Sequence, residues 1–224
     1  MSKFCVPTNG VESWQMLLAD PVKHWKTGYS AKALAYCWEE ARGFPEEVLE
    51  LFKDTDLEGA KFLLGIPEHQ VPLPGGNTKS QNDVFVLAKN DSGLVSIAVE
   101  GKVSEPFGPT LGEWMMDASP GKITRLNYLK EQLGLTDELN MNVRYQLLHR
   151  TASAVIEAKS FGAKTAAMIV HSFSQENEWF DDYSVFIGLY GKSAKVGDLV
   201  FVRNIDGIDL YLGWAKGRAK YLEV

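Results

Sequence analysis

Apolar and polar positions alternate or cluster along the chain in ways that separate strands from helices. The runs DVFVLA (residues 83–88) and LVSIAV (94–99) flank Asn90, Asp91, Ser92 and Gly93, a turn-forming set, and predict a β-hairpin. TAAMIVHSF (165–173) is a nearly unbroken apolar run, the pattern of a central strand covered on both sides and paired in parallel. DLVFVRNIDGIDLYLGW (198–214) predicts a second hairpin turning at Asp206-Gly207.

Helical spacing governs most of the rest. A short helix is expected over 11–19, stopping before Asp20-Pro21. Ser30 is placed to cap a helix over 31–42 with the stripe Leu34, Cys37, Trp38 and Ala41, closed by Gly43. Pro45 opens another, carrying Val48, Leu49 and Phe52. A further short helix is expected over 57–64, and the Pro- and Gly-rich GIPEHQVPLPGGNTKSQ (65–81) reads as a loop. Helices are also expected over 110–116, 120–133, 142–159 and 176–190. The third of these has an apolar stripe of Tyr145, Leu148, Ala152, Val155 and Ile156, and a polar stripe of Gln146, Arg150, Ser153 and Glu157. This order predicts one α/β domain over residues 1–224, with a mixed sheet and flanking helices: an N-terminal helical layer (1–78) and a core (79–224).

Composition narrows the picture. With 224 residues and 45% hydrophobic content the chain can bury one substantial core. No apolar run is long enough to span a bilayer, and MSKFCVPTNGVESW has neither the basic start nor the apolar centre of a signal peptide, so a cytoplasmic protein is expected. Of the two cysteines, Cys5 and Cys37, the second lies in a helical stripe and reads as a buried reduced thiol. The net charge is −6, but residues 39–58 hold eight acids against two bases, so that stretch accounts for the whole imbalance. The acidic run reads as a solvated helical face and leaves room for a basic groove elsewhere.

The hairpin carries the chemistry. A turn centred on Asp91-Ser92 sets residue i opposite residue 183 − i, which brings Asp83 opposite Glu100. Directly opposed side chains lie roughly 4.5–5.5 Å apart at Cβ. Lys102 shares their face, and Val95, Ile97 and Val99 point to the other. Opposed carboxylates repel, and one lysine cannot compensate both. A hard divalent cation, Mg²⁺ or Mn²⁺, would resolve the conflict with Asp83 and Glu100 as ligands. An exposed hairpin end with a surface salt bridge is the plainer account of the same residues.

On these residues, Asp83 and Glu100-Gly101-Lys102, the chain resembles the PD-(D/E)XK, or restriction-endonuclease-like, nuclease superfamily. VEGKVSEPFG, RYQLLHRTASAVIEAKSFGA and MIVHSFS with the following WFDDY are similar to a bacterial family assigned to that superfamily, over roughly residues 80–190. The resemblance implies a restriction-endonuclease-like fold and metal-dependent hydrolysis of a phosphodiester, with Asp83 and Glu100 on Mg²⁺ or Mn²⁺ and Lys102 acting on the attacking water. It further implies a helical glutamine at the site, matched by Gln146, and an acid from the first helix, for which Glu39 or Glu40 would serve. The expected partner is nucleic acid, DNA before RNA. Asn82 stands where the superfamily's name-giving proline would be.

Arg144 and Arg150 are candidates for contact with phosphate. Glu105 could reach the site from its loop, and His171 could join it from the strand; a surface acid and a hydrogen-bonded core histidine are the plainer readings. Lys216, Arg218 and Lys220, interleaved with Trp214 and Tyr221, suit contact with a nucleic-acid strand or form a solubilising tail. Two other classes stay open beside the nuclease: a non-catalytic nucleic-acid or protein-binding module on the same fold, and an enzyme acting on a small phosphoester. The low pI and the lack of a recognisable DNA-reading element favour the former of these.

Overall fold

The computed structural model describes residues 10–224; Cys5 and most of MSKFCVPTNGVESW lie outside the described residues. The chain runs α1 (Glu12–Gln15), α2 (Pro21–His24), α3 (Ser30–Ala41), α4 (Glu46–Phe52), β1 (Lys61–Val71), β2 (Ser80–Asn90), β3 (Gly93–Lys102), α5 (Leu111–Met115), α6 (Pro120–Gln132), α7 (Tyr145–Phe161), β4 (Thr165–Ser172), α8 (Phe180–Ile187), β5 (Leu199–Ile205) and β6 (Ile208–Lys216). The six strands form one mixed sheet in the order β1-β2-β3-β4-β6-β5. β4 pairs in parallel with β3 and β6, and the remaining pairs are antiparallel.

Helices cover both faces, so the sheet divides two apolar cores. Ala98, Leu148, Ala152, Val155, Met168, Val170 and Leu212 lie in the core under α7. Leu34, Trp38, Leu51, Val95, Ile97, Val99, Ala167 and Ile169 lie in the one under α3 and α4. β4 is buried along its whole length because it has a strand on each edge and a helix on each face. Alternation along β3 sends Val95, Ile97 and Val99 to the α3 side. Ser96 goes to the α7 side, where its hydroxyl donates to the Ala154 carbonyl at 2.8 Å. The register is the one expected, with Val84 opposite Val99 and Lys89 opposite Leu94. The Asn90 side chain closes the turn by accepting from the Ser92 and Gly93 amides.

The largest departure from the sequence pattern is β1. Residues 57–64 do not form a helix, and 65–71 are not loop: the helical layer ends early and an eleven-residue strand runs along β2. Gly59, at φ +72°, ends the preceding turn. Pro67, which discouraged a strand assignment, sits where a proline is tolerated, because β1 is the sheet edge. At the helix starts, Ser30 does not cap α3 with its side chain. Instead the Glu105 carboxylate accepts from both the Ser30 amide and hydroxyl at 2.9 Å, capping the helix from a distant loop. Residues 11–19 and 176–190 are only partly helical.

The C-terminal cations are tied to the acidic helices. Lys220 bonds Glu40 at 2.6 Å, Arg218 pairs with Glu46, and Lys216 donates to the Gln175 carbonyl. Arg218 and Lys220 of the basic tail thus pair with two acids of the acidic run.

Asn82 is fully buried, and neither end of its amide has a hydrogen-bond partner among the described residues. An unpaired buried amide costs about 1–3 kcal/mol, whereas an apolar replacement of similar shape carries no such penalty. Asn82→Leu should therefore raise stability by about 1 kcal/mol in urea denaturation.

Candidate active site

The cleft is built on Glu100, the one acid among the described residues that is buried. It lies at the end of β3, 2% exposed, and both oxygens are engaged. Oε1 accepts from Lys102 Nζ at 2.8 Å and from Gln146 Nε2 at 2.6 Å; Oε2 accepts from Arg150 Nε at 2.5 Å. Gln146 and Arg150 are one turn apart on α7, which is why the polar stripe of that helix meets the charged end of the hairpin. Gln146 Oε1 in turn accepts from Lys102 at 3.3 Å, so the glutamine fixes both members of the Glu-Gly-Lys sequence. Lys102 also lies over the Phe107 ring, 4.9 Å from its centre.

Asp83 comes to this group from β2. Its Oδ2 accepts from the Gly101 amide at 2.7 Å. A Cβ at position 101 would stand 3.3 Å from that oxygen and 3.2 Å from Leu34, so the glycine between Glu100 and Lys102 is what lets Asp83 close on the strand. β1 adds Glu68, which falls at the position opposite Asp83, between the pairs Pro67–Val84 and His69–Asn82. Glu68 holds a left-handed backbone, φ +52°, inside a strand, a conformation that costs a non-glycine residue roughly 1–2 kcal/mol. Such strain persists where the surroundings enforce it, commonly at functional sites. Gln81 donates to Glu68 Oε2 at 2.5 Å.

Three carboxylates and two cations share this volume, and their titration differs accordingly. Burial works against the Glu100 anion, yet the Arg150 and Lys102 charges outweigh it and hold that carboxyl well below the usual range. Burial and the Glu100 charge push Asp83 up; burial and the Asp83 charge push Glu68 up. Arg150 favours both anions and Lys102 favours that of Asp83, but burial and the neighbouring carboxylates outweigh them. Asp83 Oδ1 and Glu68 Oε1 accept no hydrogen bond from the described residues. Two carboxyls whose ionisation is disfavoured are hard oxygen donors that a divalent cation would return to the anionic form. The three carboxylates do not close as a set to within 4.8 Å of one another, and Arg150 stands among them, its charge felt by all three.

The residues line a cavity of about 490 Å³ whose opposite wall comes from the N-terminal segment: Leu18, Ala19, Lys23, His24, Tyr29 and Ala31. Of the residues singled out by the sequence, Asp83, Glu100, Lys102, Gln146 and Arg150 meet here. Arg150 faces Glu100 instead of standing free for a phosphate. Arg144 does not line the cavity; it pairs with Asp182 at 2.9 Å, bonds the Gly108 carbonyl and covers Trp179. Glu39 accepts from the Trp14 indole and Glu40 pairs with Lys220, so neither acid of α3 reaches the cleft. Glu105 lines it but is engaged by Ser30 and the Val103 amide. Glu68 and the N-terminal wall are the functional residues the sequence pattern missed. The alternating tail of β1 is the signal for Glu68, masked by Pro67 and by the Pro-Gly run after it.

A second cluster, Cys37, Glu47 and His171, brings its ligand atoms within 4.8 Å of one another. Its hydrogen bonds argue against a metal. The Trp38 indole, a donor only, donates to His171 Nδ1 at 3.1 Å, which places the ring hydrogen on Nε2, 3.0 Å from Glu47 Oε1. A nitrogen carrying hydrogen has no lone pair to offer a cation. The cluster instead ties α3 and α4 to β4, and His171 is a hydrogen-bonded core residue, outside the site.

An α/β protein with a carboxylate–lysine cleft at the end of a central hairpin is the class that fold and site define. The family model described as "Domain of unknown function (DUF6946)" matches residues 7–219, and the chain belongs to that family. No curated protein and no solved structure matches.

Two predictions follow from the charge pattern. Removing one partner of a buried ion pair strands the other, so Arg150→Met should destabilise the protein by about 3 kcal/mol or more in chemical denaturation. Adding Glu100→Gln should recover part of that loss, with the coupling read from a double-mutant cycle. Burial opposes ionisation of Glu47, but the His171 N–H, with lesser help from the Cys37 thiol, holds it down to about 2; Arg218 also stands 3.9 Å away. A depressed carboxyl stabilises the fold above its unfolded value near 4.5, and the contribution fades as pH falls from there toward 2. Glu47→Gln should flatten that acid limb in melts recorded between those pH values.

Proposed function

We propose that the cleft is the active site of a metal-dependent phosphodiesterase acting on nucleic acid. The observation that carries this reading is the convergence of Asp83, Glu100 and Lys102 with Gln146 in one cavity, where burial and like charge disfavour the ionisation of two of three carboxyls. Asp83 and Glu100 would hold Mg²⁺ or Mn²⁺, with Glu68 in the same cavity. Bound there, the cation would polarise a phosphoryl oxygen and lower the pKa of a water.

The chain's own groups supply position and proton handling. Lys102, held by Glu100 and Gln146, presents its ammonium to the cavity and orients the water. In hydrolysis the water oxygen bonds to phosphorus as the ester P–O bond breaks, and the proton that the water gives up is balanced by the one that ends on the leaving oxygen. Arg150 keeps Glu100 ionised and in place, and its charge favours the anionic phosphoryl group. Among the described residues, no helix is long and apolar enough to cross a membrane.

The test is titration calorimetry with Mn²⁺ and Mg²⁺ beside an oligonucleotide hydrolysis assay. Wild type should bind the cation, and Asp83→Asn and Glu100→Gln should lose binding. Lys102→Met should retain the cation and lower the hydrolysis rate by about 10²-fold or more, the range of a lost proton-handling group. Absence of cation binding by the wild type, with oligonucleotide present, would leave the carboxylates structural and favour a binding module.

A further inference from the structure

The shape of the cavity bears on what can enter it. Glu100, Lys102 and Arg150 are 2%, 5% and 9% exposed, so the reacting groups lie at the bottom. The volume, about 490 Å³, lies in the range of small-molecule pockets. A B-form duplex is stiff, with its phosphates along grooves about 12 and 6 Å wide. Floor groups with so little exposure are reached more readily by a flexible single strand than by a stiff duplex. Enzymes with enclosed pockets act on single strands or on nucleotides taken out of the stack.

The N-terminal wall has the composition for such a unit. Leu18 and Ala19 give apolar surface, and Tyr29 is a half-exposed ring at 41%. Lys23 and His24, on α2, face the same cavity. Among the described residues, neither the Lys23 ammonium nor the His24 ring forms a hydrogen bond or ion pair, unlike Arg144, Arg218 and Lys220, which are committed to acids. Both lie near Asp20, whose carboxylate caps the Lys23 amide.

We propose that the cleft takes a single nucleic-acid strand, one nucleotide at a time. A phosphate sits on the Asp83–Glu100–Lys102 floor, the base lies against Tyr29 and Leu18, and Lys23 and His24 hold the adjoining phosphate. The assignment of the floor rests on the phosphodiesterase reading; the assignment of the wall rests on the cavity.

Fluorescence anisotropy tests it, with a labelled DNA strand, an RNA strand of the same sequence and the matching DNA duplex, each with Ca²⁺ in place of Mg²⁺. At least one strand should bind about tenfold or more tightly than the duplex, and the difference between DNA and RNA assigns the sugar. Tyr29→Ala, and Lys23→Ala combined with His24→Ala, should each weaken strand binding by about fivefold or more, with circular dichroism confirming the fold. Duplex binding as tight as strand binding, no strand binding, or variants that bind as wild type does would each overturn the proposal. Hydrolysis of bis(p-nitrophenyl) phosphate by the wild type with Mn²⁺ separates the two readings. If it proceeds while the duplex binds as well as the strands, the chemistry stands and the strand preference fails. If it does not proceed while the strands bind selectively, the wall is a strand-binding surface and the chemistry fails.

Discussion

The buried Glu100 carboxylate is the interaction around which the rest of the cleft is arranged. An anion at 2% exposure survives only with strong partners, and Glu100 has three: Lys102 from its own strand, Gln146 and Arg150 from α7. These bonds tie the helix to the end of the sheet. They also set a direction for charge. Lys102 and Arg150 both bond Glu100, while at Asp83 and Glu68 burial and the neighbouring carboxylates outweigh positive charge. The left-handed backbone at Glu68 puts strain and like-charge crowding on one position.

The two faces of the sheet divide the work. The face under α3 and α4 is a tight apolar core locked by the Trp38–His171–Glu47 chain, in which each hydrogen has one place to go. The face under α7 is apolar toward the centre and polar at one end, where the helix stripe changes from Ala152, Val155 and Ala158 to Gln146 and Arg150. The cleft lies where that polar end meets the hairpin and is closed by a segment from far back in the chain. Net charge says little about this arrangement. Within the acidic run, Glu40 and Glu46 pair with Lys220 and Arg218, and Glu39 and Glu47 accept hydrogen bonds from Trp14 and Cys37.

Much of the site was legible in the amino-acid order. The turn residues Asn90 to Gly93 set the hairpin register, and register with a period of two decides which side chains share a face, so Asp83, Glu100 and Lys102 could be brought together from spacing alone. The 3.6-residue period likewise placed Gln146 and Arg150 on one stripe of α7. Tertiary structure decided what periodicity does not encode. β1 is a strand because it pairs with β2 along the sheet edge, where Pro67 costs little, and only that pairing brings Glu68 opposite Asp83. Arg150 turns inward because Glu100 is buried beneath it, while Arg144, six residues earlier, turns away to Asp182. The capping of α3 by Glu105 and the pairing of the basic tail with the acidic helices join residues separated by 70 or more positions, and the N-terminal wall faces strands that follow it much later in the chain. Such long-range contacts depend on how the layers pack, and a local pattern carries no record of them.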